Sequence, residues 1–587
     1  MEPMKALHDS RNSLYRSPGG ARPAGEVVTL RVQTSAARAT LRVWWQDQEQ
    51  RFAMTRCRGR KNLFECALPL PKTPGLLWYY FILEDDGGTR FYGNAADELG
   101  GEGLMYDHEP PSFQLTVYDP AFAPPEWMMN GIMYQIMPDR FCAIEKKQPP
   151  HGWLHDNWDD PPALVPADRP KYDNQADDFF GGSLKGIESK LDYLQALGVT
   201  IIYLNPIFRA RSNHKYDTGD YSEIDPSFGT QADFESLCAA ARARGMRVML
   251  DGVFSHTGSD SRYFNRFGTY DSVGAYQSPA SPYAGWYRFK SWPDDYDCWW
   301  GFLPLPNVNE LNPSYLNYIV TGRDAIVKRW LRRGASGWRL DVADELPMPF
   351  LRALRRSVKA VNPDAAVLGE VWEDASHKVA YDELRCYCAG DTLDSVMNYP
   401  LRDGLIAFMN GEIDAFALKR RLDALYENYP RPFAWSLMNL MGSHDKARII
   451  NRLSGAAPED RPSDQRRFKK LTQKQYALGR RRYAALWAFV CALPGMPCLY
   501  YGDEAGAQGG DDPFCRGTYP WGHEDMALVR RIARLNRARL ASDAARLGDV
   551  AFEAREADVI EVVRRWRGEE LRAALDRRIE GASRARG

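Results

Sequence analysis

GWRLDVADE, residues 337–345, decides how this chain is read: a short apolar run of strand type that ends on a carboxylate, Asp341. The same grammar recurs in VLGEVWED (367–374), which ends its run on Glu370, and in MNLMGSHDKAR (438–448), which ends on Asp445. Between and around these runs, strand-type and helix-type segments alternate. The runs GIMYQIMPDRF, VTIIYLNPIF, MRVMLDGVFSH, GWRLDVAD, AAVLGEVWE, TLDSVMNYP, FAWSLMNLMGSHD and GMPCLYYGDEAG number eight, which closes a (β/α)8 barrel. Helices are expected over 184–197, near 233–244 and over 315–333.

In such a barrel, side chains at the C-terminal ends of different strands converge on one face. Asp341, Glu370 and Asp445 can therefore share a cleft despite their distance in sequence. Any single one of the chain's 77 acidic residues is by default a solvated charge. These three stand apart because each follows an apolar run, where a carboxylate without purpose is costly to bury. A close pair of carboxyls, one attacking an anomeric carbon and one delivering a proton to the leaving oxygen, suits cleavage of a bond between sugars.

The 587 residues exceed one ordinary core and point to several domains. We expect a loose arm over 1–24, rich in Arg, Ser, Gly and Pro, then an N-terminal β-sandwich over 25–120. The barrel follows over 129–545, interrupted after its third strand by a subdomain at about 257–312, with a short C-terminal β domain over 546–587. The last piece is short for an independent sandwich and is expected to lean on the barrel.

Basic residues (76) nearly balance acidic ones, which disfavours nucleic acid and anionic membrane as bulk partners. The aromatic share of 12%, with 17 Trp, suits a neutral carbohydrate, whose ring faces pack on aromatic rings, although a large core explains many of them equally. No apolar leader opens the chain, so a cytoplasmic location is expected. The apolar stretch 483–501 is broken by Pro494, Gly495 and Pro497 into a helix and a strand rather than a membrane span. The basic clusters at 466–474 and 480–482 read as solvated faces flanking that helix. Ten scattered Cys without CxxC pairs suggest reduced thiols and no zinc site, and Cys386 and Cys388 lie too close for an easy bridge.

Over residues 130–520 the chain resembles the alpha-amylase superfamily, glycoside hydrolase family 13, whose four short motifs occur in order as DGVFSH (251–256), GWRLDVADE, GEVW and GSHD. The resemblance implies Asp341 as nucleophile, Glu370 as general acid/base and Asp445 as a third acid that binds sugar hydroxyls. It also implies substrate contacts from His256, His444, Trp372, and His214 and Tyr216 in SNHKYDTGDY (212–221). Asp512 and Arg516 in DDPFCR resemble the family's DPxxR loop and are expected to grip a more distant glucose. Arg339, two residues before Asp341 and so on the same face of its strand, is placed with the substrate-binding set and expected to keep Asp341 ionised. Glu370 has no basic neighbour in its motif, and Val371 and Trp372 are expected to keep it protonated.

The 212–221 loop, the N-terminal sandwich and LPNVN (305–309) resemble the neopullulanase, cyclomaltodextrinase and maltogenic amylase group or the related amylopullulanases. Such enzymes cut α-1,4 bonds, with side activity on α-1,6 bonds or glycosyl transfer. Two departures are visible. Ser255 replaces the usual Asn, and CAIEKKQPPHGW (142–153) offers few oxygen ligands where many relatives hold calcium, so no metal or other cofactor is expected. The expected partner is an α-glucan, with the enzyme a monomer or homodimer. A 4-α-glucanotransferase using the same site and a non-catalytic glucan-binding protein stand as alternatives.

Overall fold

The computed structural model describes residues 4–163, 176–456 and 470–578. The eight barrel strands are Met133–Ile136, Ile201–Leu204, Arg247–Gly252, Gly337–Leu340, Ala366–Gly369, Ser395–Val396, Met438–Leu440 and Met496–Tyr500. All neighbours run parallel, in the order sixth, fifth, fourth, third, second, first, eighth, seventh. A parallel bridge from Met397 to Met438 joins sixth to seventh and closes the ring. Each of the eight runs named from the sequence supplies one strand.

The pleat separates two cores. Met133, Ile201, Tyr203, Met249, Leu368, Met438 and Cys498 belong to one buried cluster, the filling of the barrel. Alternating neighbours such as Ile202, Val248, Leu250 and Trp338 belong to a second, larger cluster that includes the surrounding helices. Burial on both sides explains why these strands read as continuous apolar runs instead of alternating ones.

The helices differ from expectation in two places. Leu184–Ser189 and Leu191–Leu197 are separate pieces, with Lys190 between them out of helical geometry. The single helix expected over 315–333 is broken: Pro313–Leu316 runs into a π-turn, Asn317–Thr321, and the chain restarts at Ile326–Arg332. Gly322 at the break adopts an extended ψ of 159°. The helix expected near 233–244 spans Gln231–Ala243 and begins with a capping box in which Thr230 and Asp233 exchange hydrogen bonds.

N-terminal to the barrel, two antiparallel sheets share one core. Val28, Leu30 and Val32 from the first sheet meet Leu41, Val43, Leu77, Tyr79 and Phe81 from the second. The loose arm expected over 1–24 is instead built in from residue 4 onward. Ala6–Leu7 and Arg16–Ser17 both pair with Val27–Thr34. Arg16 is buried and donates to Gln114 O at 3.1 Å, Gly20 O at 2.7 Å and Glu427 Oε1 at 3.1 Å. Arg11 reaches the other Glu427 oxygen at 2.8 Å. Composition misleads here because the partner that orders this segment lies 411 residues away in sequence.

After the third strand the chain makes a long excursion stitched back by bridges from His256 to Asn307 and from Tyr287 to Val308. The chain ends in a three-stranded meander, Asp549–Glu556, Val559–Trp566 and Glu569–Asp576. Its Phe552, Ile560, Val562 and Leu575 are continuous with the barrel core, and buried Arg564 donates to the carbonyls of Ala492, Ala545 and Gly548.

Under the end of the eighth strand lies a buried acid, Glu504. Its Oε1 accepts from Tyr134 of the first strand at 2.7 Å and from Tyr193 at 2.8 Å, while the buried Oε2 has no hydrogen-bond partner among the described residues. Burial pushes its pKa up to about 7.

The apolar stretch at 483–501 resolves into a helix, Gln473–Ala492, and the eighth strand. Among the described residues no helix is long and apolar enough to cross a membrane. All ten Cys are free, with Cys386 and Cys388 sulfurs 3.7 Å apart. Arg466 to Lys469 of the first basic cluster lie outside the described residues.

Candidate active site

Asp341, Glu370 and Asp445 stand just beyond the C-terminal ends of the fourth, fifth and seventh strands. The first two are joined through one side chain. Arg339, on the fourth strand and fully buried, donates from Nη1 to Asp341 Oδ1 at 2.9 Å and to Asp251 Oδ1 at 2.7 Å, and from Nη2 to Glu370 Oε2 at 2.6 Å. The planar fork of the guanidinium fixes three carboxyls from three adjacent strands. Placed with the substrate-binding residues on sequence grounds, Arg339 is instead enclosed and spends its charge on these acids.

The sequence expectation for Asp341 is corrected. Burial pushes its pKa well above the ordinary carboxylate range; Arg339 opposes this, and Glu370, Asp251 and Asp445 add to the rise. Three acids around one cation leave excess negative charge, which a retained proton relieves. Glu370 is also less isolated than its motif suggests. Besides Arg339, the Val342 backbone N–H donates to its Oε2 at 2.8 Å and the Trp372 indole N–H to its Oε1 at 3.0 Å. Val342 donates from a left-handed conformation, φ +35°, that a β-branched residue adopts only under strain.

Trp372 was expected to touch sugar. Its ring stacks on Tyr399, centroids 4.6 Å apart, and the Lys446 ammonium lies 3.8 Å from it, while 39% of the residue stays exposed beside the acids.

Asp445 is the most open of the three acids. Arg516 Nη2 lies 3.4 Å from its Oδ1 and His444 Nε2 lies 3.2 Å from its Oδ2. Arg516 also pairs with Asp512 at 3.0 Å and donates to the His444 carbonyl at 2.9 Å. The two residues of the DPFCR loop thus brace the third acid, with Asp512 half exposed beside the cleft.

The histidines are held neutral. His444 Nδ1 faces the Gln135 amide N at 2.9 Å, which donates to it, leaving the ring proton on Nε2 toward Asp445. Burial, with Arg516 next, lowers its pKa well below the usual imidazole value, and the same two causes act on His214. His214 Nδ1 accepts from the Tyr216 backbone N–H at 3.1 Å. Burial lowers His256 to about 4; its Nε2 bonds the Tyr216 carbonyl and its Nδ1 the hydroxyl of Ser255, the residue noted as a departure. Tyr216 stacks parallel on His444, with centroids 5.0 Å apart, and donates to Asp251 Oδ2 at 2.8 Å.

Asp251, Tyr203, Asn205 and Gln135 were not assigned from the sequence. Tyr203 donates to Asp251 at 2.6 Å, Asn205 to Tyr216 at 2.9 Å, and Gln135 to Asn205 at 3.1 Å. Asp251 carried a legible signal. It ends an apolar run, VML, as the three chosen acids do, and it is the register partner of Arg339 on the neighbouring strand. Among the described residues no cluster of three or more His, Cys, Asp or Glu could hold a metal ion.

Comparison with known proteins gives a concordant result. The family described as alpha amylase, catalytic domain, matches residues 135–546. An amylopullulanase of Thermoanaerobacterium saccharolyticum is 39% identical, over 95% of this chain and 46% of its own length. The chain thus spans about half of that relative or less. A cyclomaltodextrinase of Geobacillus thermopakistaniensis is 34% identical, over 88% of this chain and 80% of its own length. Among solved structures, a cyclic alpha-maltosyl-(1→6)-maltose hydrolase from Arthrobacter globiformis is 31% identical and superposes with a TM-score of 0.65, covering 77% of this chain and 92% of its own.

Proposed function

This chain belongs to the alpha-amylase family, and from that premise we propose that it is a retaining glycoside hydrolase acting on α-1,4 and α-1,6 glucosidic bonds of maltooligosaccharides, cyclodextrins, pullulan or starch. The observation that carries the reading is the Arg339 fork, which makes neighbours of Asp341 and Glu370 on adjacent strands. Retention calls for carboxyls about 5–5.5 Å apart, whereas inversion needs a wider gap for a water.

In this reading Asp341 Oδ attacks the anomeric carbon as Glu370 protonates the departing glycosidic oxygen, so the C–O bond breaks and a glucosyl ester forms on Asp341. Water then enters. Glu370, now a carboxylate, takes its proton, and the hydroxide oxygen displaces Asp341 with the original anomeric configuration restored. The Arg339 guanidinium, bonded to both acids, opposes the burial that raises the Asp341 pKa and so favours the charged form that attacks. Asp445 and the neutral His444 bond hydroxyls of the distorted sugar, and Tyr216 offers a ring face beneath it. Names of relatives support substrates with both linkages: one is an amylopullulanase, one a cyclomaltodextrinase, and one hydrolyses a cyclic maltosyl-(1→6)-maltose.

The test is product identification from pullulan, β-cyclodextrin and starch, with anomeric configuration followed by NMR. Release of α-anomers from any of them is expected. Initial β-anomers would overturn the double displacement, and longer oligomers made from maltotriose would instead assign a transferase.

A further inference from the structure

Two aromatic side chains stand in water on one arc of the barrel rim, yet neither is loose. Trp300, in the excursion after the third strand, is 84% exposed, and Tyr381, at the tip of the hairpin after the fifth strand, is 66% exposed. Both are tied by their polar edges to the same carboxylate. Trp300 Nε1 donates to Glu345 Oε1 at 3.1 Å, and the Tyr381 hydroxyl donates to Glu345 Oε2. Glu345 follows Asp341 by four residues, so the pin belongs to the loop that carries the attacking acid.

A ring anchored through its edge, with its faces left in solvent, is oriented for a partner that is flat and apolar on its face and rich in hydroxyls at its rim, which describes a pyranose. The surface is also continuous with the reaction centre. The Trp300 ring lies 6.2 Å from Trp299, which lies 5.9 Å from His256. Beside Tyr381, Val379 and Leu384 pair across the hairpin and are both exposed, widening its apolar face.

The arc identifies which sugars would lie there. Asp445, Asp512 and Arg516 occupy the loops after the seventh and eighth strands, whereas Trp300, Glu345 and Tyr381 rise from those after the third, fourth and fifth. Glu370, the acid that meets the leaving oxygen, is on the fifth. We propose that Trp300 and Tyr381, oriented by Glu345, bind the glucose units on the leaving-group side of the scissile bond and so set the chain length and acceptor that this site handles. This rests on the reading of the chain as an α-glucan hydrolase.

The test compares the Trp300→Ala/Tyr381→Ala protein and a ring-keeping Trp300→Phe protein with the parent. The active enzymes are assayed on maltohexaose and on a nitrophenyl α-maltoside, whose leaving group is a single aryl ring. Binding of maltohexaose is measured separately by calorimetry with Asp341→Asn added to each. The double variant should lose about tenfold in affinity and in kcat/KM for maltohexaose, with the aryl maltoside unchanged and Trp300→Phe, which keeps a ring but loses the N–H that Glu345 holds, falling between the two. Unchanged maltohexaose binding would overturn the proposal, as would equal losses on both substrates, or a dimer that dissociates in the double variant with affinity intact. If the parent cleaves no glucan, the hydrolase reading falls, while the titrations still decide whether these rings hold sugar.

Discussion

Replacing Glu504 with Gln should change how stability depends on pH, by an amount the structure sets. The carboxyl is buried, and its pKa lies at about 7 against an ordinary 4.5. Between those values the native protein keeps a proton that the unfolded chain has released, so the wild-type protein loses stability as pH rises from about 4.5 to about 7 and is level above. At 1.36 kcal/mol per pKa step, that loss is roughly 3 kcal/mol. The amide keeps an acceptor for Tyr134 and Tyr193 but places an N–H group where Oε2 has no partner, at a cost of about 1–3 kcal/mol that is the same at every pH. Glu310, up to about 8, titrates in both proteins and cancels in the comparison, whereas Asp503, pushed up to about 6, adds to the rise at Glu504 and is relieved of that charge in the variant. Urea unfolding of both proteins at pH 5 and pH 8, followed by tryptophan fluorescence, reads the difference. The gap should move in favour of Glu504→Gln by about 2.5 kcal/mol between these two pH values, part of the loss having occurred below pH 5, and a gap constant to within about 1 kcal/mol would refute the reasoning.

Asp341→Asn should lower kcat by at least about 10³-fold with the melting temperature retained; substantial residual pullulan or cyclodextrin cleavage would remove it from the nucleophile's role. Arg339→Met leaves Asp251, Asp341 and Glu370 without a counter-ion and should cost about 3–5 kcal/mol at pH 8. Part of that loss should return at pH 5 as the carboxyls protonate; equal losses at both pH values in thermal melts would show that the fork is mere packing. Because His444 is held neutral far below its usual range, no limb of the pH–rate profile should belong to it. His444→Asn should reduce kcat/KM about tenfold and leave the profile's shape unchanged, whereas the disappearance of a limb near pH 6.5 would contradict this.

The barrel was legible because burial on both faces forces its strands into apolar runs, and each proposed acid marks where a run meets the cleft. The same signal stands at Asp251, whose run, VML, ends in the same way. What a single strand could not disclose was sharing between strands. Arg339 looked like a partner for Asp341 alone because they are two residues apart, yet Glu370, 31 residues away, is its shorter hydrogen bond. Side-chain reach across a sheet depends on register, which a local motif does not state. The break at Gly322 and the ordering of residues 4–24 were missed for related reasons: one is a backbone choice inside an amphipathic pattern, and the other is decided by a partner far along the chain.

The clasp at Glu427 ties two bodies together with a single carboxylate. Arg11 and Arg16 approach it from a segment that also supplies two pairings to the sandwich, so losing the first twenty residues would strip pairings from one body and remove one of its ties to the other in one stroke, leaving contacts such as Gln114 to Ser376 and Arg420 to Asp97. Loss of that segment should therefore register as a looser seat of the sandwich on the barrel, read as a larger radius of gyration by small-angle scattering, before any barrel strand is disturbed.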